Sequence, residues 1–162
     1  MKNPTIIYSK KDLDIFLYAN DTLIEGANIC VKNYLYVPRY NCLREYLKGI
    51  REGNYKSAKI YIMKLKDKVI GAFVSCSEFE DFYIHIFIKK SFRNNGYGKI
   101  LFVESLKDLI GLGLINKDNF DLYKARLSHT VNSNKSFKYF DLIIHENIFG
   151  NKFNIVRENI LT

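Results

Sequence analysis

Apolar residues recur at every second position, or nearly so, through three consecutive stretches: Lys59 to Leu65, Val69 to Ser77 and Phe82 to Ile88. Runs of this kind, rich in β-branched and aromatic side chains, predict strands. Lys66-Asp67-Lys68 and the acidic Glu78-Phe79-Glu80-Asp81 stand between them as turns, so the three predict an antiparallel meander. Beyond Ile88 the period changes. Ile100, Leu101, Val103, Leu106, Leu109 and Ile110 recur at helical spacing, predicting a helix from about Lys99 that stops at Gly111-Leu112-Gly113.

The ends of the chain are less regular. Thr5-Ile6-Ile7-Tyr8 reads as a short first strand, after which Ser9 or a neighbour caps a helix through Asp12 to Tyr18. Residues 19–56 look helical in parts, with an interruption at Val37-Pro38-Arg39, because proline disfavours helix in the residue before it. Within this region Leu43, Tyr46, Leu47 and Ile50 form a helical stripe on Asn41 to Arg51. Further on, Leu122 to Ser128 predicts a strand, and Asn132 or Ser133 caps a helix to about Leu142. Ile143 to Phe149 and Lys152 to Arg157 read as a closing hairpin turned at Phe149-Gly150-Asn151-Lys152.

No repeat, linker or low-complexity stretch interrupts this order. The 162 residues therefore predict a single domain, 1–162, long enough to bury a proper core. No run reaches the ~18 apolar residues that a membrane span needs. Met1-Lys2-Asn3-Pro4 carries no signal-peptide core, so a cytoplasmic protein without membrane attachment is expected. Cys30, Cys42 and Cys76 are odd in number and fit neither a zinc nor a disulfide spacing, which leaves them as free thiols. His85, His129 and His145 are scattered, and no metal site is expected. The net charge is +8, split as +3 over residues 1–81 and +5 over 82–162, with no basic block. That excess suits an anionic ligand and tolerates a nucleic-acid partner, although no nucleic-acid motif stands out.

The richest stretch for chemistry joins the last strand of the meander to the helix. Ile84 to Ile88 runs into Lys89-Lys90-Ser91-Phe92-Arg93, then Asn94-Asn95-Gly96-Tyr97-Gly98-Lys99 opens the helix. Glycines let backbone approach an oxyanion, and the free amides of a first helical turn point at it. The pattern lacks the Gly-Lys-Ser/Thr of a P-loop. It also lacks a dinucleotide fingerprint, since Leu101 stands where the third glycine belongs. On spacing alone Gly-x-Gly is also compatible with an ordinary turn.

Arg93-x-x-Gly96-x-Gly98, preceded by an apolar strand and followed at once by a helix, resembles the acyl-coenzyme A loop of the GNAT superfamily of N-acyltransferases. The match runs in order from residue 69 to about 140, with Lys90 standing where many members carry proline. The resemblance implies an α/β (α+β) fold with a mixed central sheet of about six to seven strands flanked by about four helices. It also implies transfer of an acetyl group from acetyl-CoA to a primary amine of a small molecule, a peptide or an aminoacyl-tRNA. Dimers are common for this fold. The second class of reading is a non-catalytic module that binds acyl-CoA or nucleic acid.

What the resemblance implies for residues is specific. Backbone amides from Arg93 through Asn94, Asn95, Gly96, Tyr97 and Gly98 to Lys99 would hold the pyrophosphate, and backbone near Phe87 and Ile88 would align the pantetheine arm like an added strand. Asn132 would contact that arm. Tyr139, seven residues on, would protonate the leaving thiolate; an alternative register puts Phe140, which has no proton to give, in that place. The base is open between His85 and the carboxylates of Glu78, Glu80 and Asp81.

Overall fold

Two Lys-Asp dipeptides set up the first half of the sheet. Lys11 and Asp12 take φ of 50° and 66°, and Lys66 and Asp67 take 49° and 67°. Positive φ at both central residues is the two-residue hairpin geometry that matches the right-handed twist of its strands. The first dipeptide joins β1 (Thr5–Lys10) to β2 (Leu13–Tyr18), and the second joins β3 (Lys59–Leu65) to β4 (Lys68–Cys76). The two turns abut, with the Lys66 amide donating to the Asp12 carbonyl at 2.8 Å.

This corrects the helix expected over Asp12 to Tyr18. Leu13, Ile15 and Leu17 pack on one face of the sheet, while Phe16 and Tyr18 pack on the other. A run buried on both faces carries no helical stripe, and Asp12, expected as part of that helix, is half of a turn.

The computed structural model describes residues 3–36, 41–76, 83–115, 125–129 and 155–159. Helices α1 (Leu23–Lys32) and α2 (Asn41–Arg51) lie between β2 and β3 in the chain. Strand β5 (Tyr83–Ile88) completes an antiparallel run, β1 through β5. Helix α3 (Tyr97–Gly111) then leads to β6 (Ala125–His129), parallel to β5, and β7 (Ile155–Asn159) lies parallel to β6. The strands lie in chain order across one sheet. Among the described residues there are three α-helices. The helix expected from Asn132 or Ser133 and the strand expected over Ile143 to Phe149 lie outside the described residues.

The sheet is covered on both faces. α3 lays Leu101, Phe102, Leu106 and Leu109 against Tyr61, Met63, Phe73, Ile84 and Ile88. On the opposite face Ala27, Cys30, Leu47 and Ile50 of α1 and α2 meet Tyr18, Ile60, Ile62, Ala72 and Val74. Because β3 is buried on both sides, its near-continuous apolar sequence is what a central strand requires. Tyr61, Phe73 and Phe102 form an edge-to-face chain with centroids 5.8 and 5.9 Å apart, which fixes α3 laterally on β3 and β4.

The Tyr61 hydroxyl is the polar end of that chain and donates to Asp108 Oδ2 of α3 at 2.7 Å. Burial and this bond push the Tyr61 phenol well above its ordinary range, so it is always a donor. Tyr61→Phe keeps the aromatic packing and removes the bond. Urea unfolding should show a loss of about 1–2 kcal/mol, with circular dichroism unchanged; an unaltered midpoint would contradict this role.

Candidate functional site

Strand β5 ends under tight constraint. Its last residue, Ile88, stands opposite Gly71 of β4. A Cβ on Gly71 would lie 2.5 Å from Ile88 Cδ1 and 2.8 Å from the Phe87 carbonyl, so only glycine lets β5 approach here. Just before it β4 bulges: Met63 pairs with Gly71 and Lys64 with Val69, leaving Ile70 as the extra residue. The carbonyl of Ile70 then accepts the Lys89 amide at 2.8 Å.

That bond sets the direction of every peptide group on β5. Antiparallel pairs alternate between those that exchange bonds and those whose peptides point away from the partner. With Lys89 bonded to Ile70, the Ile88–Gly71 pair is of the second kind. Phe87 therefore spends its peptide groups on β4, whereas Ile86 and Ile88 turn theirs to the other edge. On that edge β6 pairs only with Tyr83 and Ile84, through Arg126 and Leu127. Past Ile84 the edge of β5 has no ladder partner among the described residues. An extended ligand laid there meets the backbone of Ile86 and Ile88. Ile86 was not singled out from the sequence; finding it requires the register between β4 and β5, which alternation alone does not give.

The chain leaves β5 through a short 3-10 turn, Lys90–Phe92, and enters α3 at Gly96. Gly96 has φ +82°, left-handed geometry that glycine takes without strain. It gives α3 no side-chain cap, and the first turn holds no acidic residue. The first intrahelical bond runs from Ile100 N to Gly96 O at 3.2 Å, so the amides of Tyr97, Gly98 and Lys99 precede the ladder. Gly98 has a different reason to be glycine. A Cβ there would sit 3.7 Å from Ile88 Cγ1, an ordinary contact, so packing inside the protein does not require the glycine. A helical glycine costs roughly 0.5–1 kcal/mol against alanine, and neither packing nor helix propensity accounts for it here.

The loop is positively charged. Lys89, Lys90, Arg93 and Lys99 fall in a span without an acidic residue, and Lys68 places its ammonium 5.4 Å from the Phe92 ring centroid. Arg93 is exposed but tethered: its Nε donates to the Ile88 carbonyl at 2.7 Å, and its guanidinium lies 5.2 Å from the Phe87 ring centroid. Asn94 takes φ 66°, and the Asn95 side chain donates to the carbonyls of Phe92 and Arg93 at 3.3 and 3.1 Å. Phe87 and Tyr97 are half-buried. Uncapped amides, a helix dipole and nearby cations are features that suit an anion.

His85 belongs to the other face of the sheet. It is 4% exposed, and its ring lies 5.2 Å from that of Tyr46 on α2. Burial lowers its pKa from 6.5 to about 4, so the imidazole is neutral at pH 7. Nε2 has no hydrogen-bond partner among the described residues. Asn132, Tyr139 and Phe140 lie outside the described residues, as do Glu78, Glu80 and Asp81. Cys30 is buried, and its thiol is pushed up to about 12, so it is no nucleophile at neutral pH. Among the described residues no three His, Cys, Asp or Glu side chains converge as a metal site, and no helix is long and apolar enough to cross a membrane.

No family model and no curated protein sequence matches this chain. Solved structures do. An aminoglycoside acetyltransferase from an uncultured soil metagenomic sample, in complex with trehalose, superposes with a TM-score of 0.50 at 13% identity over 82% of this chain and 87% of that one. The same enzyme with sisomicin gives 0.50 at 14% identity over the same shares. A ribosomal-protein-alanine N-acetyltransferase from Brucella melitensis biovar Abortus 2308 gives 0.50 at 15%, over 81% of this chain and 89% of that one. The chain therefore has the fold of these acetyltransferases, the GNAT fold, in which an α/β class was expected.

His85 supplies a pH signature. Its pKa is 6.5 unfolded and about 4 folded, so below pH 6.5 the unfolded chain takes up a proton that the folded one refuses. Its penalty is absent above that pH and grows as pH falls toward 4. Between pH 7 and pH 5 this group should remove about 2 kcal/mol of stability. Urea unfolding at both pH values should show the loss, and His85→Phe should reduce it by that amount. An equal slope in the variant would show that His85 is not buried neutral.

Proposed function

We propose that this chain is an N-acetyltransferase that moves an acetyl group from acetyl-CoA to a primary amine. One observation carries the reading: the open edge of β5, at Ile86 and Ile88, leads within one short loop to the uncapped amides of α3. A ligand with an extended amide-bearing arm and a pyrophosphate at its end matches both halves. Bound there, acetyl-CoA supplies the acetyl group activated as a thioester. The peptide groups of Ile86 and the Ile88 amide hold the arm as an added strand. The amides of Tyr97, Gly98 and Lys99 receive the phosphates, aided by the dipole of α3 and by Lys89, Lys90 and Lys99. Asn94, Asn95 and Gly96 shape the approach to them.

The remaining tasks are proton transfers. Tyr139 is assigned the proton that goes to the departing sulfur, and Asn132 a contact to the arm. The proton from the amine is assigned to His85 or to a carboxylate of Glu78, Glu80 or Asp81; burial that lowers the His85 pKa to about 4 makes the imidazole a weak base. An acceptor that met His85 would approach from the α1–α2 face of the sheet. Enzymes of this fold named for aminoglycoside and for ribosomal-protein-alanine acetylation support an amine acceptor. The protein acts as one domain, free of membrane, in the cytoplasm, and a homodimer is compatible with the fold. The alternative, a non-catalytic module binding acyl-CoA or nucleic acid, is separated by turnover: tight acetyl-CoA binding with no acetyl transfer to any amine of a broad panel favours it.

Gly98→Asp tests the reading by setting stability against binding. An aspartate in the first turn favours the helix, and its Cβ meets only an ordinary contact with Ile88. The same carboxylate repels an anion at those amides. The variant should melt at or above the wild-type temperature, yet bind acetyl-CoA on the order of a hundredfold more weakly by calorimetry. Wild-type affinity in the variant, or no saturable binding by the wild type, would remove the site.

A further inference from the structure

The resemblance gives the Arg93 backbone to the pyrophosphate and leaves its side chain open between a charge for the phosphates and a structural role. Its geometry favours a defined structural role. Its side chain reaches back to the residue that ends β5, donating from Nε to the Ile88 carbonyl at 2.7 Å and lying on the Phe87 ring. Both anchors belong to the strand. The Ile88 carbonyl is on the open edge, as the last acceptor before the chain turns into the loop. A guanidinium on it closes the edge at that point and fixes the tilt of the peptide that leads to Lys89, itself bonded to Ile70.

We infer that Arg93 is a positioning residue that holds the open edge of β5 in register with the amides of α3 by clamping the Ile88 carbonyl. The inference rests on the acetyl-CoA reading above. A ligand that uses both half-sites gains from their linkage only while their spacing matches its own. Three residues, Asn94 to Gly96, separate Arg93 from α3, and Asn95 bonds back to the carbonyls of Phe92 and Arg93, so the loop is tied to Arg93 and through Arg93 to β5. The clamp makes that last tie through one hydrogen bond and one stacked plane. Lysine keeps the charge and has neither the planar fork nor an Nε–H. Glutamine loses the charge as well. A phosphate role therefore tolerates lysine, and a clamp does not.

Two measurements decide it. In the ligand-free protein, nitrogen-15 NMR of arginine side chains should show one protected Nε–H that disappears in both Arg93→Lys and Arg93→Gln. If no Nε–H assigned to Arg93 is protected, the clamp is refuted whether or not acetyl-CoA binds. In calorimetric titrations with acetyl-CoA at about 50 mM and about 300 mM salt, both variants, checked as folded by thermal melting, should bind about tenfold more weakly, the loss of one charge-assisted bond. The dependence on salt should match the wild type in Arg93→Lys, which keeps the charge of the loop. Wild-type affinity in Arg93→Lys, with weak binding and a shallower salt dependence in Arg93→Gln, would overturn the inference in favour of phosphate contact. Wild-type affinity in both would overturn it too. Absence of binding by the wild type refutes the acetyl-CoA reading, and the Nε–H signal still decides the clamp.

Discussion

The contact of Ile88 with Gly71 governs the candidate site. Without a Cβ on Gly71, β5 sits close enough for the Lys89 amide to reach the bulged Ile70. That bond makes Ile88–Gly71 the pair that turns its peptides outward, and so directs the backbone of Ile86 and Ile88 to the edge that β6 leaves open beyond Ile84. The Ile88 side chain meanwhile faces α3 and joins Leu101, Phe102 and Phe73 in the core. One residue thus seats the helix by its side chain and presents the edge by its backbone. An added side chain at Gly71 would disturb both.

Much of this was legible because the signals are local. The three strands of the meander, α2 and α3 follow from period and turn residues. The glycine loop follows from composition and from where it falls between strand and helix. The clearest failure is equally local. Lys11-Asp12 and Lys66-Asp67 make the same turn, yet only the second is legible as one, because Ser9 ahead of the first also suits a helix cap. The alternation of Leu13, Ile15 and Leu17 against Phe16 and Tyr18 was the competing signal, and it won through pairing with β3. The role of Ile86 could not be read at all. It depends on which edge a peptide faces, and that is set by a bulge in another strand. The face to which His85 points was left open for a related reason: alternation groups His85 with Phe87 but does not say which layer covers them.

The two glycines of the loop show how magnitude separates structure from function. Gly96 is explained by its own backbone, since left-handed φ is costly for other residues. Gly98 has no such explanation: its site accepts a Cβ, and helix propensity argues against glycine. Its presence points outward, to whatever approaches the amides. The same contrast applies to Arg93, whose charge suits an anion but whose side chain bonds to the Ile88 carbonyl and lies on the Phe87 ring of β5. The proposed cofactor site would divide into an edge, a nest of amides and a clamp between them, with the His85 side chain on the α1–α2 face of the same strand.

The most direct test of this arrangement is a backbone NMR titration of the protein with acetyl-CoA. The account predicts saturable shifts at the amides of Ile86, Ile88 and Tyr97 to Lys99, with the Phe87 amide, bonded to β4, protected from exchange before and after. Shifts confined to another surface, or no shifts along β5 and the start of α3, would contradict it.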